Sequence, residues 1–291
     1  MSNAGKLRNS LLLLLAAAIW GFAFAFQRMG GEAMGAFTMN ALRSFIGVAT
    51  ILAVLRISGT KLQTDKTTIR GGILCGLVLT AACNLQQFGL LYTSPGKAGF
   101  ITASYMIIVA VISLFKKKKP GLVVLLSVIL GITGLYLICM PDGEDLRINK
   151  GDLLCMACAF CFAIQIIIID TIGEKAESVK MCAIQFLVVG VLSGIPALLF
   201  EHPTAACIRD GIVPLLYVGM LSTGVAYSLQ MVGMIGIDPS VSSLIMSLES
   251  VFSVIGEFVI LGTAPGGKAL TGCGIMFAAI LLSQFDTFKK R

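Results

Sequence analysis

Three ionisable side chains stand inside long apolar stretches: Arg43, Glu249 and Glu257. A charge in hydrocarbon is costly, so each one asks for a partner or a task. Arg43 lies about 14 Å along its stretch at 1.5 Å per residue, near a bilayer midplane. Glu249 reaches a similar depth on another stretch, entered from the opposite side. A carboxyl there can exchange a proton or hold the amino group of a small molecule. It can also pair with Arg43 and simply hold helices together, and the sequence leaves both open. Eight residues separate Glu249 from Glu257 and turn a helix by about 80°, so the two can share a broad face with Ser253 between them. Asn84, Gln87, Gln165, Tyr227 and Gln230 are neutral polar groups in apolar surroundings, suited to bonds between helices or to a ligand. Tyr105 offers an apolar face and a hydroxyl. Trp20, the single tryptophan, sits mid-stretch and not at an interface, which suits a cavity wall.

Hydrolytic chemistry is poorly provided for. The single histidine, His202, falls in an expected loop beside Pro203, and no aspartate stands deep inside a stretch. Cys155, Cys158 and Cys161 sit three apart on one helix. A lone helix cannot close a tetrahedral metal shell, so small apolar packing is expected there, with no metal and no cofactor. A Walker-type phosphate loop is also missing from the sequence, so energy for any transport must come from a gradient or from exchange.

The elements that must carry these residues follow from composition. Of 291 residues, 57% are hydrophobic and 13% charged, and mean hydropathy is +0.93. That much apolar side chain cannot hide in one water-soluble core, and it is the reverse of a disordered composition. A helix needs about 20 apolar residues to span a bilayer. Ten such stretches are present: 11–26, 34–55, 71–91, 98–115, 121–139, 152–169, 181–200, 211–231, 239–261 and 269–285. The class is therefore an all-α integral membrane protein with ten spans. Asp238-Pro239 and Ser94-Pro95 have the form of helix starts, an N-cap followed by proline.

Orientation comes from lysine and arginine. With the N-terminus inside, fifteen of them fall on cytoplasmic segments and six on outer ones, Arg43 being within a span. Both termini are then cytoplasmic in a cell or inner membrane. The net charge of +7 is mostly topology and calls for no nucleic acid. Lys116 to Lys119 obey the same rule and can also touch anionic lipid. The basic, then apolar, N-terminal segment resembles a signal peptide, but a retained first helix keeps the charge count intact.

The chain repeats itself. Asn84-Leu85-Gln86-Gln87-Phe88-Gly89 followed by Ser94-Pro95 recurs roughly 144 residues later as Ser228-Leu229-Gln230-Met231-Val232-Gly233 followed by Asp238-Pro239. Pro120-Gly121, Ser127 and Gly134 fall similarly on Pro265-Gly266, Gly272 and Ala279. Arg43 meets Gln185, and Tyr105 meets Glu249. Residues 1–146 and 147–291 thus read as two five-helix units. Five crossings are odd, so the second unit is inverted, the arrangement that lets carriers open to each face in turn.

With those residues in place, the sequence resembles the drug/metabolite transporter superfamily, EamA type, over nearly its whole length. The resemblance rests on Ala18-Ile19-Trp20-Gly21-Phe22, on Ala41-Leu42-Arg43-Ser44-Phe45 and on the turn from Gly89 to Ala103. It rests also on Asp238-Pro239-Ser240-Val241 running into Leu248-Glu249-Ser250-Val251-Phe252, and on Gly272 to Leu282. Where the family often closes its ninth span with Gly-Glu, this chain has Gly262-Thr263, so that acid is absent or replaced by Glu257. The resemblance implies a ten-helix bundle, with helices 1, 3, 4, 6, 8 and 9 around a central cavity and helices 5 and 10 outside it. It also implies export or exchange of small metabolites such as amino acids.

The expected function is a secondary transporter and not an enzyme. Its partners are a small-molecule substrate, membrane lipid and protons as a candidate coupling ion. An exporter of cationic drugs or nucleotide-type metabolites is the alternative within the class. A non-transporting membrane sensor or assembly factor is the alternative outside it.

Overall fold

The computed structural model describes residues 3–61, 63–93, 95–115, 120–139, 148–173, 176–261 and 266–289. These residues are helical almost throughout, and each of the ten apolar stretches coincides with helix. The first three rods are α1 (Asn3–Met34), α2 (Ala36–Ile57) and α3 (Lys66–Tyr92). A broken rod follows, α4 (Pro95–Ala103) and α5 (Tyr105–Leu114), then α6 (Leu122–Cys139). Next come α7 (Lys150–Ile172) and α8 (Ser178–Pro196), the latter ending in a π turn, Ala197–Glu201. A short α9 (Ala205–Asp210) precedes a rod made of α10 (Ile212–Leu216), a π segment (Tyr217–Ala226) and α11 (Tyr227–Gly233). The chain closes with a second broken rod, α12 (Pro239–Met246) and α13 (Glu249–Leu261), and with α14 (Gly267–Lys289). Among the described residues, 7 helical stretches are long and apolar enough to cross a membrane by length and composition; three shorter apolar ones cover 98–114, 122–138 and 267–283.

The distribution of polarity is that of a protein dissolved in lipid. Ile129, Phe160 and Phe200 are exposed, whereas Arg43, Gln87, Gln165 and Glu249 are buried. Water would reverse that order; hydrocarbon demands it, because polar groups there must find partners inside the protein.

Small residues let the rods approach closely, as lipid-embedded helices require. Gly134 of α6 and Gly272 of α14 face each other: a Cβ on Gly134 would lie 2.9 Å from the Gly272 carbonyl oxygen, and one on Gly272 would lie 2.6 Å from that of Gly134. The packed pairs are α6 with α14, α2 with α8, α3 with both α7 and α8, and α1 with α13. The π segment and α11 pack on α1, the π segment packs on α2, and α4 and α5 pack on α7. The two broken rods also meet, α5 against α12 and α4 against α13.

Capping residues define several ends. Asp238 accepts from the Ser240 amide at 2.9 Å with Pro239 behind it, as the sequence leads one to expect. Asp65 caps α3 through the Thr67 and Thr68 amides and the Thr68 hydroxyl. That hydroxyl, above all, holds the exposed Asp65 carboxyl below its usual range. The start of α2 is capped from another rod. Glu201, at the end of the π turn, accepts from the Phe37 amide at 2.9 Å and from the Thr38 amide and hydroxyl, each at 2.7 Å. Gly35 makes room for it with φ +92°, a conformation that side chains rarely adopt; a Cβ there would lie 2.5 Å from the Glu201 carboxyl carbon. At the far end of the bundle, buried Lys180 bonds the Gln63 carbonyl at 2.6 Å and pairs with Glu177 at 2.5 Å, tying α8 to the approach to α3.

Candidate functional site

A cavity with a free volume of about 40 Å³ lies where α1, α2, α3, the π segment and both broken rods converge on α7. That is well below the roughly 300–1,000 Å³ usual for open small-molecule sites, so the chamber is largely filled by its own side chains. Its wall combines the two ionisable residues Arg43 and Glu249 with aromatic rings and glutamines.

The breaks in the rods make the site. The chain leaves helical register around Ser104 and again at Ser247 and Leu248, so that Tyr105 opens α5 and Glu249 opens α13. A carboxylate in the first turn of a helix is favoured by the exposed amides there. The two residues that the repeat aligns both line this cavity, near enough for the Tyr105 hydroxyl to act electrostatically on the Glu249 carboxyl. One carboxylate oxygen of Glu249, Oε1, is buried and has no partner.

Arg43 projects from α2 on the other side. Its Nη1 donates to Gln27 Oε1 at 3.3 Å, its Nε is buried without a partner, and its charge faces Cys83 and Tyr227. The ion pair between Arg43 and Glu249 that the sequence left open is not made, although both line one cavity.

The aromatic wall is held from behind. Trp20 and Tyr227 meet edge to face with ring centres 4.7 Å apart, and Tyr227 meets Phe186 in the same manner at 4.7 Å. Trp20 also donates to the Ser222 carbonyl at 3.3 Å. That carbonyl belongs to the π segment, whose wider turns leave backbone oxygens open to side chains; such segments recur at functional sites. A row of glutamines completes the wall. Gln165 donates to Gln185 at 3.4 Å, Gln230 donates to Gln165 at 3.5 Å, and Gln230 Oε1 is left without a partner.

Of the eleven residues named from the sequence, Trp20, Arg43, Tyr105, Gln165, Tyr227, Gln230 and Glu249 line the cavity. Asn84, Gln87 and Ser253 do not. Asn84 joins three helices, accepting from Asn40 at 2.9 Å and donating to Ser193 at 2.9 Å. Gln87 donates to the Gln27 carbonyl at 2.7 Å. Ser253 turns back on its own helix, donating to the Ser250 carbonyl at 2.8 Å. The Glu257 side chain lies outside the described residues, as do Ser94, Lys116 to Lys119 and Gly262-Thr263.

Sequence reasoning missed Gln27, Gln86, Thr102 and Ser222, which also line the cavity. Gln27 escaped because the apolar stretch ends at Phe26, whereas α1 runs on to Met34, with Arg28 and Glu32 paired at 3.0 Å on its last turns. Ser222 carried no signal, since a π segment has no composition of its own.

Helices with apolar exteriors, folded around a polar chamber in which two opposite charges wait unpaired, define a membrane transport protein. The chain belongs to the EamA-like transporter family, which it matches over residues 8–140 and 149–285. It is 25% identical to an uncharacterized transporter of Archaeoglobus fulgidus over 95% of this chain and 86% of that one. It is 22% identical to the uncharacterized transporter YoaV of Bacillus subtilis over 94% and 95%. The threonine/homoserine exporter RhtA of Salmonella typhimurium is 28% identical over 58% of this chain and 57% of its own. A solved structure described only as the crystal structure of a protein superposes with TM-score 0.81 at 18% identity, over 95% of this chain and 96% of that one. At that identity the likeness concerns the fold alone.

Proposed function

We propose that the protein is a secondary transporter that exports amino acids or closely related metabolites across the cytoplasmic membrane by alternating access. The observation that carries this reading is the cavity itself, lined by buried Arg43 and Glu249 and built where helices of both halves meet. The likeness to a threonine/homoserine exporter supports the substrate class.

The reading includes ten crossings in two inverted units, 1–146 and 147–291, with both termini cytoplasmic. Packing supports it. Exchanging each rod of the first half for its counterpart in the second leaves the pattern of neighbours intact. The pair α3–α7 becomes the α11 rod on α1, α3–α8 becomes the π segment on α2, and α1–α13 becomes α7–α5. The pairs α6–α14 and α2–α8 map onto themselves. The family match falls once in each half as well. Protons are the proposed coupling ion, with Glu249 as their carrier.

Purified protein in liposomes tests the function. Preloaded with unlabelled L-threonine or L-homoserine, they should accumulate the labelled compound, faster still under an imposed pH gradient. Absence of counterflow for every amino acid tried would end the reading. Reporter tags that place the two termini on different sides would end its topology.

A further inference from the structure

The two charged residues of the cavity wall pose a problem that the fold does not solve. Arg43 is 3% exposed and Glu249 is 6% exposed. Buried charges are ordinarily paired, because removing an ion from water without a counterion is expensive. Here they are not: the groups facing Arg43 are the neutral Gln27, Cys83 and Tyr227, and the group acting on Glu249 is the neutral Tyr105 hydroxyl. One nitrogen of the first and one oxygen of the second are left without a partner. The charges come from different halves of the chain, on α2 and at the head of α13. Beside its glutamines, Thr102 and Ser222, the wall they share holds rings and carbon, with Phe162, Ile166 and Met246 among it.

We propose that Arg43 and Glu249 are the opposite poles of one ligand site that takes a compact zwitterion, its anionic group on Arg43 and Gln27 and its cationic group on Glu249 and Tyr105. The assignment rests on reading the cavity as the transport site, and it narrows that reading to a requirement. A ligand with a single charge satisfies one pole and leaves the other buried and open. A ligand with both charges satisfies the two at once and spans the halves of the bundle. The apolar part of the wall, at Phe162, Ile166 and Met246, receives the side chain.

Ligands of matched size test this without altering the protein. The probes are L-threonine, L-threoninol, which lacks the carboxylate, and 2,3-dihydroxybutyrate, which lacks the ammonium. Binding is read from the fluorescence of Trp20, which lies in the cavity wall and is the single tryptophan. Loss of one charged hydrogen-bonded contact should weaken each one-charge analogue about ten- to a hundredfold against threonine. Arg43→Gln should remove the discrimination against threoninol alone, and Glu249→Gln that against dihydroxybutyrate alone, in variants whose unfolding midpoints show them intact. Equal binding of either analogue to the unaltered protein overturns the proposal. So does failure of threonine, homoserine and every other amino acid to bind. Threonine counterflow together with charge-blind binding would leave transport standing and remove the two-pole site. Charge-selective binding with no counterflow would do the reverse.

Discussion

Glu201 is a carboxylate at the end of one rod that closes the beginning of another, and its removal gives a calculable loss. In the Glu201→Ala variant three hydrogen bonds of 2.7–2.9 Å disappear together, two from the Phe37 and Thr38 amides and one from the Thr38 hydroxyl. Each is worth roughly 0.5–1.5 kcal/mol net, and the favourable charge at a helix start adds about 0.3–1 kcal/mol. Glu201 is half-buried, so water recovers part of the loss, and the lower end of the range applies, about 2 kcal/mol. That is about a 30-fold change in the folded-to-unfolded ratio and a fall in unfolding midpoint of about 4–8 °C. Thermal unfolding in detergent, followed through Trp20 fluorescence, measures it. Glu201→Gln keeps one acceptor and loses the charge, so it should lose about half as much. Thr38→Val removes one of the three bonds, and the double variant should cost clearly less than the two single changes added. An alanine variant within about 1 °C of the parent, or simple additivity with Thr38→Val, would refute the cross-rod cap.

Other changes follow the same logic. Gly35→Ala should destabilise by more than about 1 kcal/mol, through both its positive φ and its collision with the Glu201 carboxyl, and its cost should shrink in the Glu201→Ala background; unfolding midpoints of the single and double variants decide it. Gly134→Leu should cost about 1–3 kcal/mol or more, because the added carbons meet Gly272 and Met276 backbone that cannot swing aside; an unchanged midpoint would deny the close seam between α6 and α14. Trp20→Phe leaves the Ser222 carbonyl without its donor and should cost about 1–2 kcal/mol, measured by loss of monodisperse protein on heating, since this variant has no tryptophan to report. Asn84→Leu strips partners from Asn40 and Ser193 at once and should lower stability by about 1–3 kcal/mol; a neutral effect would contradict its place as a junction of three helices.

The sequence disclosed the long apolar rods because a bilayer writes a coarse requirement into composition. It was vaguer about what happens within a rod. Nothing in residues 98–115 or 239–261 announces a break, since serine is common in membrane helices and the pattern stays apolar through Ser104 and Ser247. The repeat placed Tyr105 opposite Glu249 before either had a position, and the structure sets both on the wall of one cavity. Asn84 and Gln87 look like site residues in a list of polar groups, yet they spend their hydrogen bonds on neighbouring helices. Depth along a helix can be counted from sequence; the direction in which a side chain points depends on neighbours far along the chain, here 44 to 109 residues away. Gln27 was lost for a plainer reason, as a polar end to α1 lowers the apolar signal just where the helix reaches the chamber.

The inverted polarity of this molecule has a consequence for anyone wishing to strengthen it. Lipid-facing positions such as Ile129, Phe160 and Phe200 gain little from a better apolar residue, because the solvent outside is already oil. Improvement has to come from the interior, by giving Gln87 Oε1 a donor or by tightening a seam of small residues. Enlarging the centre, a common remedy for soluble proteins, would instead push apart rods that cohere by nearness. Stability and vacancy therefore compete for the same few cubic ångströms in the middle of the bundle.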